Sequence, residues 1–316
     1  MMFRNTNFGI LIGKVGDFYG FNWYGLDCFC FFAKSKPIIK MNKFIKAIAA
    51  MMLTVVAIVV IGCHKPDEPN NGGNDVPETP IIGLFSINDS TQVCFSPGNL
   101  QYQASTDTWR FAENQWDYVG ENNANISETY DGWIDLFGWG RGDDPTYTGN
   151  SWDSVYWSFA DWGMNPISNG SDYQWRTLNL SEWLYLLFRD TDSGIRCALA
   201  TVNSVKGLIL LPDNWDASVY TFVGFNNSES TFDSNIISAS QWETLERNGA
   251  VFLPASGIRI GTMISYIQEY GMYWIAGKSD PFSYVFYVQL CDGYLGTPNY
   301  CERNMGLSVR LVRDAE

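Results

Sequence analysis

Only one stretch of this 316-residue chain is apolar for long enough to leave water as a block, and that is Ala47 to Ile61. At about 15 residues it falls short of the roughly 20 that a comfortable membrane span needs. Met41-Asn42-Lys43-Phe44-Ile45-Lys46 precedes it and Gly62-Cys63 follows. A basic start, an apolar middle and a small residue before a cleavage point are the parts of an export signal peptide. The chain beyond it must then fold outside the cytoplasm, from short apolar segments. Residues 1–40 fit no export signal, because their Phe, Tyr, Trp and Cys are scattered without helical or alternating period. Met41 opens a complete signal by itself, so 1–40 reads as a mis-assigned upstream leader and 41–62 as the signal peptide.

The order Val60-Ile61-Gly62-Cys63 resembles the lipobox of bacterial lipoproteins. The resemblance implies that the Cys63 thiol takes a diacylglyceryl group and becomes the first residue of the mature chain. At about 0.8 kcal/mol per buried CH₂, two or three acyl chains make such attachment permanent in practice. Residues 63–80 are rich in Pro, Gly, Asn and acid and nearly free of apolar side chains, so they cannot pack and read as a tether. Lys65 followed by Asp67 and Glu68 resembles the surface-export signal of Bacteroidota-type lipoproteins, interrupted here by Pro66. The implied location is the outer membrane, lipid-anchored and facing the exterior.

Charge narrows the partners. The first 62 residues carry seven of the 20 basic and two of the 34 acidic side chains, so the remaining 254 carry 13 and 32, a net charge near −19. Such a surface repels phosphate backbones, which are bound through Lys and Arg that displace counterions, and nucleic acid is excluded as a partner. The single histidine, His64, lies in the tether. That removes Ser-His-Asp and Cys-His catalysis and every His-based zinc site. Cys94, Cys197, Cys291 and Cys301 lie beyond the tether. An exported compartment permits disulfides. Cys291 and Cys301 can close a loop, although pairing is not readable from sequence; Cys94 and Cys197 read equally well as buried apolar residues.

Residues 81–316 suit one large domain. Short strands are expected at Thr91–Ser96, Asn99–Gln103, Thr108–Ala112, Gln115–Val119, Val205–Leu211, Ala250–Leu253, Met272–Ile275, Tyr284–Leu290 and Leu307–Val312. Tyr284, Phe286, Val288 and Leu290 alternate as a half-buried strand does. Two segments read as helices. Asn179 can cap one, with Glu182 reaching back and Leu180, Trp183, Leu184, Leu187 and Phe188 on one face. Ser240 and Glu243 repeat that logic around Trp242 and Leu245, and Gly249 supplies a stop. The fold class is α+β, with short strands, two main helices and long aromatic-rich loops.

Trp175-Arg176-Thr177-Leu178 leading into Glu182-Trp183, Val205-Lys206-Gly207-Leu208-Ile209-Leu210-Leu211-Pro212, Phe252-Leu253-Pro254-Ala255-Ser256-Gly257, Tyr273-Trp274 and Gly306-Leu307-Ser308-Val309-Arg310-Leu311-Val312 occur in that order. Together, over Phe95 to Arg313, they resemble the FISUMP-type lipoprotein domains, relatives of the formylglycine-generating enzyme (sulfatase-modifying factor) variant of the C-type lectin fold. The resemblance implies a C-type-lectin-like domain in which aromatics staple long loops to small sheets. Arg176 and Arg310 are then expected to be partly buried and satisfied by carbonyls or carboxylates.

The same resemblance sets tests for chemistry. Formylglycine-generating enzymes use two cysteines separated by four residues, with copper and oxygen, whereas nine residues separate Cys291 from Cys301. The expectation is a fold without the activity, with no cofactor. Calcium lectins of this fold use Glu-Pro-Asn or Trp-Asn-Asp clusters that are missing from the matching region; Asp143-Asp144 reads as a solvated loop and no metal is expected. Arg141-Gly142-Asp143 matches an integrin tripeptide by letters alone. The C-terminal loops hold Tyr273, Trp274, Tyr284, Tyr287, Asp292, Tyr294, Asn299, Tyr300 and Asn304, a mixture suited to adaptable recognition. They are the expected ligand face, toward a glycan or a protein. An envelope structural or assembly protein with one fixed protein partner is the alternative, and an oxidase of the formylglycine-generating type is a third.

Overall fold

The computed structural model describes residues 82–149, 158–171, 173–189, 194–225, 229–277, 284–296 and 300–315, with only the backbone of 284–286 and 300–301. The chain divides between Pro69 and Asn70 into two units. The first, and with it the leader, the signal peptide and Cys63, lies outside the described residues, as does the tether. No helix among the described residues is long and apolar enough to cross a membrane.

The second unit is α+β. It opens with β1 (Phe85–Ser86), β2 (Gln92–Phe95), β3 (Leu100–Gln103), β4 (Thr108–Phe111) and β5 (Arg176–Thr177), then helix α1 (Leu180–Phe188). Next come β6 (Cys197–Val202), β7 (Val205–Leu210), β8 (Ile236–Ile237), helix α2 (Ala239–Arg247), β9 (Val251–Pro254), β10 (Ile258–Ile260) and β11 (Met263–Ser265). The chain ends with β12 (Gly271–Trp274), β13 (Tyr284–Cys291), β14 (Tyr294–Gly296), β15 (Tyr300–Glu302) and β16 (Leu311–Asp314). Sheets run β1-β2-β16-β5, β8-β6-β7-β9 and β12-β13-β14, with β15 also on β13; β3-β4 and β10-β11 are hairpins. All pairs are antiparallel except β6 with β8.

Alternation in these strands builds three apolar layers from two walls. Successive side chains of a strand point to opposite faces. In the β6-β7-β9 wall, Cys197, Leu199, Leu208, Leu210, Val251 and Leu253 enter one core, which α1 covers with Trp183, Leu186 and Leu187. Ala198, Ala200, Val202, Ile209 and Phe252 enter another, covered by Trp242 and Leu245 of α2. The second wall is β12 and the final segment. There Tyr273, Ile275 and Val312 join the first core, while Met272, Trp274, Leu307, Val309 and Leu311 join a third with Trp109, Phe137, Trp139 and Trp162. Gly207 of the first wall has no room for a Cβ, which would meet the Leu253 carbonyl at 2.4 Å.

The helix starts follow capping chemistry. Asn179 accepts from the Glu182 amide and Glu182 reaches back to the Asn179 amide, closing the expected box on α1. Its buried face differs from the expected one. Leu184 (41 %) and Phe188 (47 %) are exposed, and Leu186 takes the buried place beside Trp183 and Leu187. On α2 the box is Ser238 with Gln241, not Ser240 with Glu243, and Gly249 follows the helix with a φ of +88°. Two strand expectations also change. Gln115–Val119 is a turn rather than a strand, and of Leu307–Val312 only the end is regular strand, the rest making single bridges from Leu307 to Phe137 and from Ser308 to Tyr273.

Asp213 fastens the first strand to the body. It accepts from the Ser86 amide at 2.9 Å, from the Ser86 hydroxyl, from Gln92 Nε2 at 2.9 Å and from Arg189 and Arg196. Burial alone would raise its carboxyl, but the donors from Ser86, Gln92 and Arg189 hold it below the usual carboxylate range.

Candidate functional site: a polar and aromatic groove beside the β3-β4 hairpin

Three of the nine residues expected at the C-terminal ligand face are interior. Tyr273 is 0 %, Trp274 1 % and Tyr287 8 % exposed, so these three rings fill cores and do not meet solvent. The reason is the wall just described: β12 has a core on each face, and its Tyr and Trp are the large rings that fill both. Tyr273 spends its hydroxyl on the Pro254 carbonyl at 2.8 Å and accepts from Asn99, and burial raises its pKa far above the phenol range. Asp292 is exposed but accepts from the Phe232 amide at 2.7 Å, a loop-fixing contact. Tyr294 and Asn304 are half-buried. The side chains of Tyr284 and Tyr300, and all of Asn299, lie outside the described residues.

The cysteine pair is corrected by register. Cys301 stands opposite Val285, and Cys291 is six residues farther along β13, about 20 Å at strand rise. A disulfide needs Cα atoms within about 7 Å, so this arrangement does not join them. Cys94 and Cys197 are both buried, and burial pushes the Cys197 thiol up to about 12. Of the two arginines expected to be satisfied internally, Arg176 pairs with Glu182 at 2.9 Å and Asp314 at 3.0 Å. Arg310 is buried against side-chain amides instead, with Nη1 3.3 Å from Asn99 Oδ1 and Nη2 2.5 Å from Gln115 Oε1. In the tripeptide, Arg141 is held by Asp144 and lies over the Tyr147 ring at 4.7 Å, while Asp143 is a more distant partner at 3.9 Å.

A groove of about 460 Å³ lies elsewhere, lined by Gln101, Arg110, Glu113, Trp116, Asp117, Tyr118 and Val205. Gln101 and Arg110 are cross-strand partners on β3 and β4, and Arg110 Nε donates to Gln101 Oε1 at 2.9 Å. The guanidinium lies 3.8 Å from the Trp133 ring centre and 3.5 Å from Glu113, so stacking, a hydrogen bond and an ion pair fix it together. Past β4 the chain turns at Asn114–Asp117. The Asp117 carboxylate accepts from the Asn114 amide and side chain, both at 2.9 Å. Trp116 is half-buried, packed on the α2 core while it also lines the groove. Val205 closes the far side from the tight β6-β7 turn, whose Asn203 and Ser204 have φ of +46° and +68°.

Buried polar groups stake this loop at both ends. Between the lining residues, Gln115 turns inward. Its Oε1 accepts from the Phe252 amide at 2.8 Å and from Arg310, and its Nε2 donates to Glu246 at 2.8 Å. Desolvation lowers the Arg310 guanidinium to about 10, which still leaves it charged at neutral pH. After Tyr118, Asp135 accepts from the Val119 amide and from Asn123 Nδ2, each at 2.8 Å. Desolvation raises the Asp135 carboxyl to about 6 against the pull of those donors. The groove therefore presents its rings and acids from a loop whose inner contacts are fixed, which lowers the ordering cost of binding.

Sequence patterning did not single out this groove because Gln115–Val119 alternates as a strand would. The usable signal was Trp116-Asp117-Tyr118 after the polar run Glu113-Asn114-Gln115, next to a hairpin carrying Gln and Arg. Among the described residues, no cluster of three or more His, Cys, Asp or Glu could hold a metal ion. No family model, curated protein or solved structure matches the chain.

Proposed function

We propose that this chain is a lipid-anchored surface lipoprotein whose C-type-lectin-like domain binds a glycan or protein ligand without catalysing a reaction, and that the ligand sits in the Gln101–Tyr118 groove. The observation that carries the reading is the groove itself: half-buried Trp116 and Tyr118 with Glu113 and Asp117 on a loop staked by Gln115 and Asp135, beside Arg110 of β4. Rings of that kind supply contact area at little entropic cost, and the fixed polar groups supply direction. Anchoring rests on the lipobox-like Val60-Ile61-Gly62-Cys63 and the tether after it. The non-enzymatic reading rests on the distance in register between Cys291 and Cys301 and on a sequence whose one histidine is His64.

Whole cells carrying the full chain, tested against arrayed extracellular glycans and proteins, check this reading. The Trp116→Ala variant is expected to lose at least about tenfold in apparent affinity, as removal of an interface anchor does. Tyr294→Ala is expected to bind as the parent does. The reverse outcome would restore the C-terminal face. Capture of one constant envelope protein, insensitive to Trp116→Ala, would favour the assembly role instead.

A further inference from the structure

We infer that the groove selects an uncharged glycan and rejects anionic ones, which names the ligand class of the site proposed above and rests on that reading. The charge on the lining carries it. Arg110 is the sole basic lining residue among seven, and Glu113 and Asp117 are both acidic. Arg110 is already engaged on three sides, by Gln101, Glu113 and the Trp133 ring. A sulfate or carboxylate entering the groove would compete with Glu113 for Arg110 and would face that carboxylate, whose side chain is 77 % exposed. The expected net charge near −19 on the mature chain adds long-range repulsion toward any polyanion.

What remains on offer fits a sugar. Trp116 and Tyr118 give apolar ring surface for the C–H face of a pyranose. Glu113 and Asp117 are carboxylates, acceptors only when ionised, while Gln101 is buried and spends its Oε1 on Arg110. Hydroxyl groups, which donate and accept, satisfy such a set without bringing charge. A peptide would leave its backbone donors and acceptors to be matched along an extended edge, and the outer edges of this hairpin are already taken, Tyr102 by Ile134, Trp109 by Ser168 and Phe111 by Asn169.

The test is an array of neutral oligosaccharides beside sulfated, uronate-bearing and sialylated ones, probed with the full chain at two salt concentrations. Neutral glycans are expected to bind with little salt dependence, and Glu113→Lys is expected to gain at least about tenfold for anionic glycans. Preference of the parent for anionic glycans would overturn this inference and leave the groove assignment standing. Binding only to proteins, still lost in Trp116→Ala, would overturn it in the same way. Glycan binding unaffected by Trp116→Ala would overturn the groove assignment itself.

Discussion

The segment Tyr273–Asn304 and the loop Glu113–Tyr118 have much the same composition, with Trp, Tyr, Asp and Asn in both, yet the structure uses them in opposite ways. In the first, Tyr273, Trp274 and Tyr287 are core residues of walls that have apolar layers on both faces. In the second, the buried residue is the polar Gln115, while Trp116 and Tyr118 sit half-buried along a groove. Composition therefore does not decide whether an aromatic segment is buried or lines a groove. What decides it is whether a core lies on one side of the segment or on both.

The largest effect that sharpens this contrast is on stability. Trp274→Ala is expected to cost about 3–5 kcal/mol by denaturant unfolding, the range for a fully buried aromatic. A cost below about 0.5 kcal/mol would mean that the ring is at the surface after all. Next comes Gln115→Ala, which leaves the Phe252 amide and the Arg310 guanidinium short of an acceptor. A loss of about 1–3 kcal/mol is expected, with ligand affinity falling too because the loop loses its inner stake. Stability lost with affinity intact would show that the loop does not carry the site.

The pH dependence has a definite sign. The Asp135 carboxyl rises to about 6 in the fold, above its ordinary value, so between pH about 4 and 6 the folded chain holds a proton that the unfolded chain has released. The contribution of this group is present below about pH 4 and is lost as pH rises through 6. Thermal melts from pH 4 to 7 are expected to show that decline in the parent and to lack its share in Asp135→Asn. Parallel curves for the two would remove Asp135 as the titrating group. The smallest stability effect is expected for Tyr118→Ala, within about 1 kcal/mol, although affinity falls. A cost like that of Trp274→Ala would place Tyr118 with the core instead.

Much of the fold was legible in the sequence. Short apolar segments between turn residues, several of them alternating, located β2, β3, β4, β7, β9, β12 and β13 to within a residue or two, and the Asn179–Glu182 box located α1. The remainder depended on information that period does not carry. Leu184 and Leu186 are equally apolar, and only the packing direction of α1 decides which is buried. Ser238 and Ser240 both offer a cap, and Ser238 prevails with Gln241 as its reciprocal partner. Tyr273, Trp274 and Tyr287 were read as surface rings because a strand with two buried faces and a strand with one carry the same aromatic residues. The stakes of the groove, Gln115 and Asp135, are polar residues with distant partners: Arg310 lies 195 positions from Gln115. No local pattern encodes such a contact.

Hydrogen–deuterium exchange on the full chain, with and without a saturating neutral oligosaccharide, tests the central claim most directly. Protection is expected in peptides covering residues 110–118, with exchange in 284–296 unchanged. Protection confined to 284–296 would contradict the account and return recognition to the C-terminal loops.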